Sequence, residues 1–194
     1  MKQSWKPGTV LYPLPAVLVS CGAAPEEYNM LTVAWTGTVC SDPPMCFISV
    51  RPERHSHAII SRTGEFVINL TTRRLARAAD WCGVRSGRDF DKFREMGLTA
   101  VPSEKVAAPL IAESPVNIEC RVRQVLPLGT HDMFLAGVVA VQVDADYIDP
   151  ATGRFCLERA CPIVYSHGEY FALGEALGHF GWSVRKKKKA PKRR

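Results

Sequence analysis

The sequence predicts an all-β protein, a closed or nearly closed antiparallel barrel decorated by a few short helices. Three observations predict it. Apolar residues recur at period two along much of the chain, helix-period stretches are few and short, and no β-α-β rhythm is present. With 194 residues, 46% of them hydrophobic, the chain can bury one substantial core, so a single domain over 1–184 is expected.

Strands are expected first at 14–21, 30–36, 45–51 and 65–70, where β-branched and aromatic residues concentrate. The two middle strands flank a turn at Pro43-Pro44. Residues 53–62 form a helix after Pro52 that ends before Gly64. Thr72 caps a helix over 73–82, in which Leu75, Ala78, Ala79 and Cys82 share one face and Gly83 supplies the stop. A further helical turn covers 90–96, and the proline-bearing stretch 97–115 reads as loop.

Val116, Ile118, Cys120 and Val122 alternate with Asn117, Glu119, Arg121 and Arg123, which predicts a strand with one face in the core and the other in water. The nearly all-apolar run 134–143 predicts a strand covered on both faces. Pro127, Gly129 and His131 lie between the two, so they form a long hairpin with an exposed tip. Turn chemistry at 149–153 precedes two short strands at 162–166 and 169–172.

The net charge of +6 resides in the last ten residues, RKKKKAPKRR. Without their eight basic side chains, 17 basic residues face 19 acidic ones, a body of charge −2. A nucleic-acid reader carries basic character on its folded body, so nucleic acid is not an expected partner. Residues 185–194 read as a disordered, solvated tail. No stretch approaches a membrane span, and the apolar run from Ala16 to Val19 is too short for a signal segment. No membrane partner and a cytoplasmic location are expected. Seven cysteines without a Cys-x-x-Cys pair read as reduced, buried thiols, and no metal site is expected.

The candidate chemistry concentrates between Asn29 and Leu70. Asn29 either opens a strand as a turn residue or meets a ligand. Trp35 alone is either core or a cofactor wall. The continuation Thr36-Gly37-Thr38 favours a ligand, because glycine lets the backbone approach closely while the indole closes one side. Ser49, Arg51, Arg54 and Ser56 form a phosphate candidate, with guanidinium forks beside a hydroxyl near a helix start. The alternative there is a solvated helix face. Lys92 and His131 have no assigned role when read alone, and the hairpin from Tyr165 to Phe171 is either surface or the lid of a planar ligand.

Cation, hydroxyl and aromatic together suit a flat ring that bears a phosphate, the form of flavin mononucleotide (FMN). No Gly-x-Gly-x-x-Gly follows a strand, so a Rossmann dinucleotide site is not indicated. No Ser-His-Asp order or carboxylate pair anchors hydrolysis.

The run Asn29, Thr32, Trp35-Thr36-Gly37, Pro43-Pro44, Ser49, Arg51, Arg54, Ser56, Gly64-Glu65-Phe66 and Asn69 resembles the flavin reductase-like, FMN-binding split-barrel family, and within it the flavoredoxins. The likeness continues through Lys92, strands 116–143, Pro162 to Tyr165 and Gly168 to Gly174, covering roughly 5–182. It implies a six-stranded Greek-key split barrel, a homodimer, and FMN held non-covalently near the dimer interface. It implies flavin contacts at Asn29, Trp35, Ser56, Lys92, His131 and Tyr165, with Arg51 and Arg54 completing the phosphate and ribityl surroundings. Ser56 stands where threonine is more usual, and Tyr165 where phenylalanine can occur. The ring and ribityl are assigned to 29–38 and the phosphate to 49–56, while Lys92 and His131 are the foremost contacts expected from the partner chain. The implied reaction passes hydride from NADH or NADPH to FMN and electrons onward to an acceptor, for which a redox protein is one candidate. The flavin carries that chemistry, and no catalytic side chain is named. The alternative is an FMN-binding electron carrier without appreciable NAD(P)H turnover.

Overall fold

Period-two patterning becomes strands β1 (Leu14–Pro15), β2 (Val17–Cys21), β3 (Asn29–Val33), β4 (Thr36–Ser41), β5 (Pro44–Val50) and β6 (Glu65–Leu70) in the first part of the chain. After them come β7 (Ala100–Val101), β8 (Leu110–Ile111), β9 (Val116–Pro127), β10 (Asp132–Val143), β11 (Ile163–Ser166) and β12 (Glu169–Ala172). The helices are α1 (His55–Thr63), α2 (Ala76–Val84) and α3 (Lys92–Met96). This computed structural model describes residues 1–184, so the tail expected at 185–194 lies outside the described residues. No helix among those described is long and apolar enough to cross a membrane.

One antiparallel seven-stranded sheet runs in the order β3-β2-β6-β9-β10-β5-β4, and a three-stranded sheet runs β1-β11-β12. The large sheet curls so that Val19, Leu31, Ile48, Val50, Phe66 and Phe134 meet in one buried interior. Near the seam the Ser49 N–H donates to the Trp35 carbonyl at 2.9 Å, which draws the chain after β3 onto β5. The result is an all-β split barrel with few helices.

The large sheet holds seven strands, and β4 among them was not anticipated. Residues 36–41 pair with β5 through the Asp42-Pro43 turn, in register Thr36↔Ile48 and Gly37↔Phe47. Gly37 suits this close pairing, since a Cβ there would sit 3.3 Å from the Phe47 ring.

Burial also departs from expectation. Strand β2 is buried along its whole length, whereas β10 is not: Val141 of β10 is half exposed. Helices α2 and α3 pack Ala78, Cys82 and Phe93 on Leu18 and Met30 of the barrel's outer face. The stretch carrying Val106, Ala108 and Leu110 covers Val67 of β6 in the same way. That cover buries Asn117 and Glu119, which the alternation pattern had placed in water. Glu119 accepts from the Glu104 and Lys105 backbone N–H groups at 3.0 and 2.6 Å, so the buried carboxylate is fully engaged.

Helix ends follow local chemistry. Gly64 adopts the left-handed conformation that closes α1, and the Asp91 carboxylate caps α3 by accepting from the Arg94 N–H at 3.1 Å. Gly83 is not the stop of its helix. It lies inside α2, where a Cβ would sit 3.2 Å from Thr32, so it permits close docking on β3. All seven cysteines are free; Cys161 is exposed and Cys40 partly so, unlike the other five.

Candidate functional site

Two adjoining clefts open where β3, β5, α1 and α2 converge. They share Leu31, Thr32, Arg54 and Gly83 as a common wall. The Thr32 hydroxyl donates to the Ala79 carbonyl, which with Gly83 sets α2 tight against β3 and fixes that wall.

The first cleft, about 490 Å³, is aromatic on two sides. Trp35 and His131 make one side, with ring centroids 4.5 Å apart. Tyr165 and Tyr170, at 5.7 Å, make the other, and Tyr12 adds to it 6.1 Å from Tyr165. Ser49, Arg51 and Arg54 line the same cleft. Burial and the nearby Arg51 guanidinium lower the pKa of His131, so its ring is neutral at pH 7.

The second cleft, about 360 Å³, is lined by Arg54, Arg85, Arg88 and Lys92 against a single carboxylate, Glu53. Glu53 is itself drawn to Arg51 at 3.6 Å. Lys92 opens α3 and is only 3% exposed, its Nζ donating to the Cys82 carbonyl at 2.8 Å. Burial above all pulls its pKa down to about 8, with Arg54 adding to the drop and the Cys82 and Cys21 thiols opposing it. Those thiols are held protonated, pushed up to about 11 and about 12 by their own burial. Lys92 is therefore a buried cation with no anionic side chain to neutralise it, the setting that favours an anion in the cleft.

Ser56, in the first turn of α1, accepts from the Asn29 Nδ2 at 2.7 Å. The same hydroxyl lies within hydrogen-bond reach of the Cys21 thiol, and Ser56 lines the cleft. Arg54 reaches across to the Gly83 carbonyl at 3.1 Å, and Arg88 to the Glu53 carbonyl at 3.3 Å, so both guanidinium groups are tethered. Gly87 completes the enclosure, and any Cβ there would overlap the Asn29 carboxamide.

A chamber rich in cations and hydroxyls beside an aromatic-walled slot fits a planar ring that carries a phosphate. The flavin reductase like domain family matches residues 9–174. The chain belongs to that family. Among the flavin reductase-like proteins it is similar to, flavoredoxin of Desulfovibrio vulgaris (Miyazaki F) is 32% identical in sequence. The alignment covers 95% of this chain and 100% of that one, with a TM-score of 0.87. Flavoredoxin from Methanosarcina acetivorans, 22% identical over 95% of this chain and 100% of its own, superposes with a TM-score of 0.84 and shares the fold. An uncharacterized protein of Pyrococcus abyssi is 34% identical over 131 residues, which is 68% of this chain and 74% of the relative.

In this flavin reductase-like chain the clefts cut across the two-segment division read from the sequence. Asn29 lies with Ser56 and Lys92 at the cationic end, while Ser49 and Arg51 lie with Trp35, His131 and Tyr165 at the aromatic end. Arg54 borders both. Lys92 and His131, the foremost contacts expected from a partner chain, each line a cleft of their own chain as well. Thr36 and Gly37 line neither cleft. They belong to β4, where the Thr36 hydroxyl donates to the Phe47 carbonyl at 2.6 Å and Thr36 faces the segment 8–14.

Sequence reasoning passed over Arg85, Ser86, Gly87 and Arg88. The signal was present as a glycine between hydroxyl and guanidinium donors directly after a helix, a pattern that suits an anion. It also passed over Tyr12 and Asp80, which reach the aromatic cleft only through tertiary packing, where they join Tyr170 of the hairpin read as a lid candidate.

Proposed function

We propose that this chain is an FMN-binding oxidoreductase of the flavin reductase/flavoredoxin type, moving electrons from NADH or NADPH through FMN to an acceptor. The observation that carries the reading is Lys92, a buried cation without an anionic partner, facing a cleft that continues into a slot between aromatic walls. The flavoredoxin likeness at 32% identity over nearly the whole chain supports it.

Lys92, Arg54, Arg85, Arg88 and Ser56 would hold the phosphate, with Asn29 orienting the Ser56 hydroxyl. Trp35 and His131 would lie along the isoalloxazine edge, and Tyr165 would bound it from the opposite side. Bound FMN supplies hydride acceptance and onward electron transfer. The chain's own part is to orient one flavin face, exclude water from the phosphate end and present a neutral His131 at the ring end.

A homodimer is part of the proposal. Trp5, Leu11, Leu177 and Phe180 on the two terminal arms are each more than 80% exposed, the apolar surface a second copy would bury. A cytoplasmic setting, with a redox protein among the possible acceptors, completes the reading.

The visible absorption of the chain as purified tests flavin binding. A colourless protein that stays colourless after FMN is added refutes the proposal. Oxidation of NADH or NADPH with FMN present separates reductase from pure carrier, a second reading favoured by the missing Gly-x-Gly-x-x-Gly run. Turnover with either nucleotide retires the carrier.

A further inference from the structure

The His57–Asp132 hydrogen-bonded pair touches neither cleft. The His57 Nε2 and Asp132 Oδ2 stand 2.7 Å apart, with side chains 15% and 18% exposed. The Arg and Lys ion pairs among the described residues each keep at least one partner largely in solvent. A sheltered polar pair is weak grounds for stability, so its effect is better sought in the geometry it specifies.

That geometry joins the two ends of the site. His57 follows Ser56 in the first turn of α1, and its ring stands edge-on to the core residue Phe134 at 5.2 Å. Asp132 is the first residue of β10, held in register with Pro127 and Val50. It directly follows His131, whose ring lies 4.5 Å from that of Trp35. The tip between β9 and β10 has little cover of its own, with Leu128 62% exposed, and the Leu128 N–H to His131 carbonyl bond at 2.9 Å closes it.

We propose that His57 and Asp132 are a positioning pair that clamps the base of this hairpin tip to α1. The clamp holds His131 against Trp35 and fixes the ring-end wall relative to Ser56 at the phosphate end. The inference rests on the FMN reading above and adds to it the device that aligns the two ends. The pair acts through His131, so breaking it loosens the ring end while Ser56, held independently by Asn29, keeps its place.

The test titrates the full chain with FMN and with riboflavin, which lacks the phosphate, in wild type, His57→Leu and His57→Gln. His57→Leu is expected to weaken both ligands by the same factor, about tenfold, and to shift the visible spectrum of bound flavin. His57→Gln, which keeps a donor toward Asp132, restores both affinities and the spectrum. If His57→Leu does not melt cooperatively, His57→Asn, whose shorter amide cannot reach Asp132, is read the same way. A loss confined to FMN, or unchanged affinity and spectrum in a folded variant, overturns the clamp. A wild-type chain that binds neither ligand overturns the flavin reading together with it.

Discussion

Replacing Lys92 by Met is expected to stabilise the flavin-free protein and to weaken FMN, two effects of opposite sign from one side chain. Burial lowers the Lys92 pKa from 10.5 to about 8. One tenfold change in a protonation equilibrium is about 1.4 kcal/mol, so holding the ammonium charged at pH 7 costs the folded protein about 3 kcal/mol. Methionine removes that cost but leaves the Cys82 carbonyl without its donor, a loss of about 1 kcal/mol. The net gain of about 2 kcal/mol corresponds to a rise in Tm of about 4–8 °C for a chain of this size.

The sign can be followed with pH. Between pH 8 and 10.5 the unfolded chain holds a proton on Lys92 that the folded one has released, so wild-type stability rises with pH across that window. The advantage of Lys92→Met is therefore full below pH 8 and vanishes above 10.5. A bound phosphate dianion reverses the balance by holding the ammonium charged. FMN affinity should then fall as pH rises above about 8, and Lys92→Met should lose about 1.5–3 kcal/mol of binding, roughly 10- to 150-fold. Thermal melts of flavin-free protein at neutral and alkaline pH, paired with FMN titrations by fluorescence quenching, measure both effects. A flavin-free variant that melts below wild type at pH 7, or one that binds FMN as tightly, refutes the reasoning.

Ser56→Ala should weaken FMN by about 1.5–3 kcal/mol and riboflavin hardly at all, because the lost hydroxyl serves the phosphate; equal losses for the two ligands in calorimetric titrations would contradict this. Trp35→Ala should weaken FMN and riboflavin alike while the far-ultraviolet circular dichroism stays unchanged, since the indole is 36% exposed and outside the core. Gly87→Ala should displace the Asn29 carboxamide and with it the Ser56 hydroxyl, so FMN binding falls while thermal stability changes little; unaltered affinity would show that the 85–88 loop yields freely. Glu119→Leu should cost about 2 kcal/mol or more in chemical denaturation, because two backbone donors lose their only described acceptor without effect on the clefts.

Much of the barrel was legible because period-two patterning is a local property that each strand carries in its own residues. The alternation at 116–123 located β9, and the turn residues at 127–131 located the hairpin that presents His131. What patterning cannot report is which strand receives a second layer. The same alternation placed Asn117 and Glu119 in water, and only the loop docked from residues 102–111 buries them. Thr36 and Gly37 show a related ambiguity: a glycine flanked by hydroxyls serves a ligand contact and a tight strand pairing equally well, and here Gly37 lies opposite Phe47 in the pairing of β4 with β5.

By itself the sequence determined the fold class, the family resemblance and the kinds of group in the candidate site, because residue chemistry and strand periodicity are written along the chain. The tertiary structure decided how those groups are partitioned. It placed Asn29 beside Ser56 and Ser49 beside Trp35, and it set Lys92 and His131 in the clefts of their own chain. It also made Lys92 a buried cation with a lowered pKa, which no spacing of residues could specify. Burial and electrostatic environment are sums over neighbours distant in sequence, so they exist only once the barrel has closed and α2 and α3 have packed upon it.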